Sequence, residues 1–332
     1  MNLGKTCPVG RLSCPIEYLK DELFFSLVDY RNNYFTNDDP NKIIEFYSSF
    51  ENREQLIQWM RERPKGVANI HEVDGDSNII VVIPTGDFNG KYAKECRETI
   101  FKGLHIIFVE SGGRGDFYFN YAHNCNVGIK KAKEYNPKWI VLSNDDMEKI
   151  DDIEKMTEEL MSLSPDIPYL IYCKDRLHTT NVVKLSLSTF VRKTLYYMVT
   201  RYTRNIISFE RKFNIKYQVA LSSFPYNMFF KVKRIFPAVG DFAICSSALL
   251  KIHPVPYDET FINGGEDIAF SLDINLNFHT YSTIDFKIKS IGGGFIGQKG
   301  RMLKDVLNIT YLNYKIEQIN TYQQRIFRVD QT

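Results

Sequence analysis

Apolar and polar positions change period several times along the chain, and each change marks an element. Ile79-Ile80-Val81-Val82-Ile83-Pro84 is continuously apolar, the pattern of a central parallel strand buried on both faces. His105-Ile106-Ile107-Phe108-Val109 repeats it, and Trp139 to Leu142 is a shorter β-branched run. Between these lie stretches of helical period: Tyr92 to Gly103, and a helix carrying Val127, Ile129 and Ala132 that Asn136-Pro137 closes. The order is β-α-β-α-β with short connections, the start of a doubly wound α/β sheet. A further amphipathic helix is expected over 149–165 (Ile153, Met156, Leu160, Leu163), then a strand at Tyr169 to Tyr172. Ala238 to Cys245 and Ile284 to Lys289 alternate as half-buried strands, and Ser246-Ser247 caps a helix reaching Ile252.

Both ends of the chain read as helical. Asp39-Pro40 is a helix start, with an Asp cap and Pro in the first turn. Ile43, Ile44, Tyr47 and Phe50 then form one stripe, and Leu56, Trp59 and Met60 another. At the far end Met302, Val306, Ile309, Leu312, Ile316 and Ile319 recur at three-four spacing, a packing seam. The expected organisation is therefore an N-terminal helical extension (1–77), a main α/β domain (78–300) and a C-terminal helix (301–332).

Composition refines this picture in one place. Overall, 42 basic and 40 acidic residues nearly cancel, which argues against a bulk nucleic-acid binder; no DNA partner is expected. Between Lys184 and Arg234, however, eleven residues are basic and Glu210 is the only acid, with aromatics interleaved throughout. We expect this insert, 184–236, to be a basic helical segment. Such a stretch suits an anionic membrane surface, or single-stranded RNA; equally, it is a subdomain whose aromatics are core and whose charges are solvated. Six scattered cysteines, without a CxxC pair, suit a reducing, cytosol-like compartment. Met1 to Lys20 has no apolar signal core, and nowhere do about eighteen apolar residues run together. The expected location is cytoplasmic, with possible peripheral contact at the inner membrane face.

The chemistry is concentrated after the third strand, at Asn144-Asp145-Asp146. Open α/β sheets bind ligands beyond the carboxyl ends of their strands, and carboxylates there commonly hold a hard cation beside phosphate. Isolated, the pair would read as a solvated turn; its place after a buried strand favours a site. A second acidic pair, Glu266-Asp267, heads a later helix, where acids also serve simply to complement the helix dipole.

Taken in order, these pieces resemble family 2 glycosyltransferases of the GT-A fold. The strand ending in Pro84-Thr85 is similar to that family's opening strand, and Val109-Glu110-Ser111-Gly112-Gly113 to its next turn. Asn126-Val127-Gly128-Ile129 resembles its helix start, and Leu142-Ser143-Asn144-Asp145-Asp146 its acidic motif. Gly240-Asp241-Phe242 resembles the acceptor-side segment, and Asp258-Glu259 followed by Glu266-Asp267 its second acidic motif. The match spans about 78–290, without the insert. Ser143 stands where the family has its first acidic Asp, Ala269 and Asp273 replace residues frequent in the following helix, and no metal-binding histidine lies near Ser290.

The resemblance implies a mixed GT-A sheet with a Rossmann-like nucleotide-binding half, and an inverting enzyme that moves sugar from a nucleotide-diphosphate sugar to a hydroxyl of a glycan or lipid-linked glycan. Asp145, with Asp146, would bind Mn²⁺ or Mg²⁺. Asp267 would be the general base, with Glu266 orienting it or binding acceptor. Pro84, Thr85, Glu110, Asn126, Asn144 and Asp145 would frame the donor, Lys299 and Arg301 would close over its diphosphate, and Gly240 and Asp241 would face the acceptor. Two other readings compete. One is a nucleotidyltransferase, although Thr85-Gly86-Asp87-Phe88 lacks the basic glycine-rich loop expected there. The other is a degenerate transferase fold that only binds, using its insert on membrane or RNA.

Overall fold

A computed structural model of the protein describes residues 30–176, 178–184, 202–221, 235–238, 240–277, 281–291 and 301–329. It is an α/β fold built on a seven-stranded mixed sheet. In chain order the strands among the described residues are β1 (Asn69–Val73), β2 (Asp76–Thr85), β3 (Leu104–Glu110), β4 (Trp139–Ser143), β5 (Met147–Lys149), β6 (Leu170–Cys173), β7 (His178–Lys184), β8 (Tyr217–Leu221), β9 (Ile235–Ala238), β10 (Phe242–Ser246), β11 (Tyr281–Ile284) and β12 (Ile288–Ser290). The main sheet runs β1-β3-β2-β4-β10-β6-β11. β2 is parallel to both β3 and β4, while β10 is antiparallel to β4 and β6.

The continuous apolar runs follow from burial on both faces. Ile79, Val81 and Ile83 pack on one side, and Ile80 and Val82 on the other. β3 and β4 divide their side chains in the same way, with Phe108 and Val141 on the first face and Val109 and Leu142 on the second. Each such side chain contributes about 1.5–3 kcal/mol of burial, so these strands anchor the domain.

The helices are α1 (Pro40–Ser48), α2 (Arg53–Glu62), α3 (Lys91–Glu95), α4 (Tyr121–Ala132), α5 (Ile153–Met161), α6 (Thr203–Lys212), α7 (Ser247–Ile252), α8 (Glu266–Asn277) and α9 (Arg301–Val329), preceded by a helical stretch over 30–36. The helix expected over Tyr92 to Gly103 forms as α3 and then widens to a π-helical turn, Cys96–Ile100. α4 lies so close to the sheet that a Cβ on Gly128 would run into Val82 Cγ1 and come within 3.0 Å of Val109 Cγ2. A glycine is therefore required there on packing grounds.

The terminal helices share a core rather than standing apart. Ile43, Phe46 and Tyr47 of α1, Leu56, Trp59 and Met60 of α2, and Leu303, Val306, Leu307, Leu312 and Ile316 of α9 form one buried cluster with Phe209 and Phe213. The Tyr47 hydroxyl donates to Leu303 O at 2.6 Å and accepts from Leu307 N at 3.2 Å, tying α1 to the first turns of α9.

Three expectations change. Residues 69–73, placed in the helical extension, form β1, an edge strand antiparallel to β3. In Asn69-Ile70-His71-Glu72-Val73 the two apolar residues are three apart and Ile70 is exposed, so no period-two pattern marks the strand. The insert, expected to be helical, is mixed among its described residues. β7, β8 and β9 make a separate antiparallel sheet in the order β8-β7-β9, with α6 between β7 and β8 in sequence. Its β-branched and aromatic residues pair as strands, and Phe209 and Phe213 are core residues; 185–201 and 222–234 lie outside the described residues. Finally, the stretch from Ile284 to Lys289 is split. Ile284, Phe286 and Ile288 are all buried on one side, but the strand is interrupted over 285–287, and β12 leaves the main sheet to pair with β5. Among the described residues, no helix is long and apolar enough to cross a membrane.

Candidate active site

Strand direction gathers the acids. Because β2, β3 and β4 are parallel, Thr85, Glu110 and Ser143 end at the same edge of the sheet. β10 runs the other way, so its first residue, Phe242, pairs with Ser143. Asp241 thereby falls beside the acids after β4, and its carbonyl accepts from Asn144 N at 3.1 Å.

Asp145 is held from two directions. Its Oδ2 accepts from Thr85 Oγ1 at 2.7 Å, and its carbonyl accepts from the buried Cys96 thiol at 3.3 Å. Burial, then the Asp146 charge, makes its carboxyl harder to ionise than an ordinary aspartate, partly offset by the Thr85 bond. Asn144 Oδ1 accepts from the Tyr121 hydroxyl at 2.9 Å. Ser143 is fully buried, and its hydroxyl turns back to Asn144 O at 3.0 Å. Asp146 is half-buried, and its carbonyl accepts from Ile291 N at 2.8 Å where β5 meets β12.

The second pair arrives on α8. A Cβ built on Gly240 would lie 2.8 Å from Asp267 Oδ2, so this carboxylate rests against the backbone leading into β10. Burial raises the proton affinity of Asp267, and the neighbouring Asp241 charge adds to it. Glu266 is buried, with Oε2 accepting no hydrogen bond. Burial first, then the Asp267 charge, pushes its carboxyl up to about 8. Asp305 on α9 also raises it and is itself raised by burial. Sequence reasoning missed Asp305; it comes from a helix read only as packing, and nothing in its local pattern ties it to α8.

The approach to α8 is held by asparagines. Asn308 Oδ1 accepts from Ile262 N at 3.0 Å while its Nδ2 donates to Ile262 O at 2.9 Å. Asn120 Nδ2 donates to the carbonyls of Glu259 and Phe261, and Asn263 Oδ1 accepts from Tyr121 N at 2.9 Å. Asn263 and Gly265 both have positive φ, 54° and 91°, conformations these residue types tolerate best.

The other candidates are distributed differently. Pro84 is buried within β2 opposite Val109. Glu110 stands at the strand-end edge, where its Oε1 accepts from Phe88 N at 2.9 Å and its Oε2 lies 2.9 Å from His71 Nε2. The His71 and Phe88 rings stack at 4.4 Å. Asn126 is turned toward the chain itself: its Nδ2 donates to Tyr257 O and Glu259 Oε1, and its Oδ1 accepts from Tyr257 N. It braces the segment before α8 and is not directed at the strand-end acids. Asp258 and Glu259 are likewise engaged, Asp258 with Lys315 and Tyr311, Glu259 with His123 and Asn126. Arg301 is exposed at the start of α9, one turn from Asp305. Lys299 lies outside the described residues. Among those, Cys96, Cys125, Cys173 and Cys245 are buried free thiols.

The chain thus brings Thr85, Asn144, Asp145, Asp241 and Asp267 to one edge of the sheet. A carboxyl whose proton affinity rises on folding opposes folding once the unfolded chain has ionised. For Glu266 this destabilisation is absent below about pH 4.5 and complete above about pH 8. Glu266→Gln is therefore expected to flatten the loss of stability between those values. Urea unfolding of both proteins across that range checks this, and parallel pH profiles would contradict it.

No protein-family profile matches the chain, and no curated protein sequence matches it.

Proposed function

We propose that the protein is an inverting, metal-dependent glycosyltransferase of GT-A type that uses a nucleotide-diphosphate sugar. The observation that carries this reading is that two acidic pairs, some hundred and twenty positions apart in sequence, both adjoin the Gly240-Asp241 segment. Asp145-Asp146 follows β4, Glu266-Asp267 heads α8, and Asp241 stands between them through Asn144 and Gly240.

The donor set suits Mg²⁺ or Mn²⁺. Such cations take one or two carboxylates and complete their shell with water and phosphate oxygens. Asp145 and Asp146 would supply that number. Asp145, whose ionisation is opposed by burial and by the Asp146 charge, also gains from a cation. When bound, it would offset the charge that develops on the diphosphate leaving group.

The chain's own residues do the rest. Thr85 fixes the Asp145 carboxylate. Asp267 accepts the proton of the acceptor hydroxyl as its oxygen bonds to the anomeric carbon and the bond to the diphosphate breaks. One displacement inverts that carbon. The raised proton affinity of Asp267 brings it nearer to neutral pH, where a general base is most effective. Glu266, holding its own proton below about pH 8, keeps the pair from carrying two charges at once. Titration with nucleoside diphosphates, with and without Mn²⁺, tests the reading by its effect on stability.

A further inference from the structure

A cleft of about 460 Å³ lies away from the strand-end acids. Its walls come from the end of α2, the segment before α8, the middle of α8 and the middle of α9, and include Arg61, Lys65, Asp258, Glu259, Asp273 and Lys315. These charges are not equivalent. Lys315 Nζ stands 3.0 Å from Asp258 and 3.7 Å from Asp273, so one cation already serves two acids. Asp258 also accepts from the Tyr311 hydroxyl and Thr260 N. Glu259 is occupied from the other side by His123 Nδ1 and Asn126 Nδ2, each at 3.0 Å.

Arg61 and Lys65 are what remains. Neither has a carboxylate within ion-pair distance among the described residues. Lys65 Nζ donates to Glu259 O at 2.7 Å, leaving two of its three donors. Burial, then the charge of Arg63, disfavours its protonated form. The Arg61 guanidinium is exposed beside the rings of Tyr311 and Tyr314, 5.9 Å and 5.5 Å from their centroids. Arg63 between them in sequence points elsewhere, to Asn32 Oδ1 and Tyr118 O.

The geometry points to a second binding site in this cleft, one that takes a small phosphomonoester through Arg61 and Lys65. Two cations with no ion-pair partner among the described residues match a dianionic phosphate, and guanidinium is suited to its geometry. The cleft falls in the size range of small-molecule sites and is too large for phosphate alone. Thr260 and the half-buried Asp273 on its wall offer partners for hydroxyls on the ligand's carbon skeleton. The site is independent of the proposed transferase chemistry, since none of its residues belongs to the strand-end cluster.

Calorimetric titration of the full chain with glucose 6-phosphate tests this, with glucose as the neutral control. Binding of the phosphate but not of glucose is expected. Arg61→Gln, at an exposed helix position, is expected to weaken it about tenfold, as is Lys65→Met. Asp145→Ala should bind as tightly as the parent protein. The proposal is overturned if the parent protein does not bind glucose 6-phosphate, or if Arg61→Gln and Lys65→Met both bind it unchanged. It is equally overturned if Asp145→Ala abolishes binding, which would place the phosphate among the strand-end acids.

Discussion

Asp267→Asn is expected to lower the rate of sugar transfer by about 10²–10⁴-fold, the usual contribution of a positioned general base, with donor affinity nearly unchanged. The substitution keeps the shape of the side chain against Gly240 but removes its capacity to take a proton. Asp267 sits on the α8 side of the site, across Asp241 from the proposed cation ligands, so the donor's diphosphate does not depend on it. Losing the charge also relieves its repulsion with Glu266 and Asp241, and the variant should be at least as stable as the parent. Rates from single-turnover assays, with donor binding measured separately, distinguish the two effects. Unchanged turnover would remove Asp267 from the role of base.

Asp145→Ala is expected to act on the other half of the site. It should abolish the part of nucleoside diphosphate affinity that depends on Mn²⁺, a loss of roughly 10²-fold if the cation contributes several kcal/mol. The weaker, cation-independent affinity should remain. Thr85 loses its partner at 2.7 Å in this variant, so Thr85→Val separates the two causes: it disturbs how Asp145 is held but retains the carboxylate, and should cost less. Calorimetry with and without Mn²⁺ reads both. Equal affinity in the parent protein under the two conditions would show that Asp145 does not serve a metal.

Much of the sheet was legible because its central strands are buried on both faces. Unbroken apolar runs such as Ile79 to Pro84 leave few alternatives, and β3 and β4 fall where they were expected. The edges were harder to read. β1 is a short, largely exposed strand of mixed composition, and its pairing with β3 depends on a partner more than thirty residues later. The insert misled for a related reason: basic and aromatic residues at irregular spacing give no clear period, whereas β-pairing between β7, β8 and β9 is decided by tertiary contacts.

The site divided along the same line. Asp145 and Asp267 were visible as acids at element ends, and the antiparallel direction of β10 is what brings Asp241 between them. That direction was not legible from local pattern. Asn126 looked like a donor contact, but its carboxamide is occupied by the backbone of Tyr257 and the side chain of Glu259. Asp305 and Asn308 were invisible as site residues because α9 read only as an apolar seam, yet they sit against Glu266 and the loop that starts α8.

Thermal stability of the wild-type chain, measured across a set of nucleoside diphosphates with and without Mn²⁺, tests the central claim most directly. A ligand that binds only the folded state at about a hundred times its dissociation constant adds about 2.7 kcal/mol. Stabilisation by at least one nucleoside diphosphate is expected, larger with Mn²⁺, with that Mn²⁺-dependent increment lost in Asp145→Ala. Indifference to every nucleoside diphosphate in both conditions would contradict it.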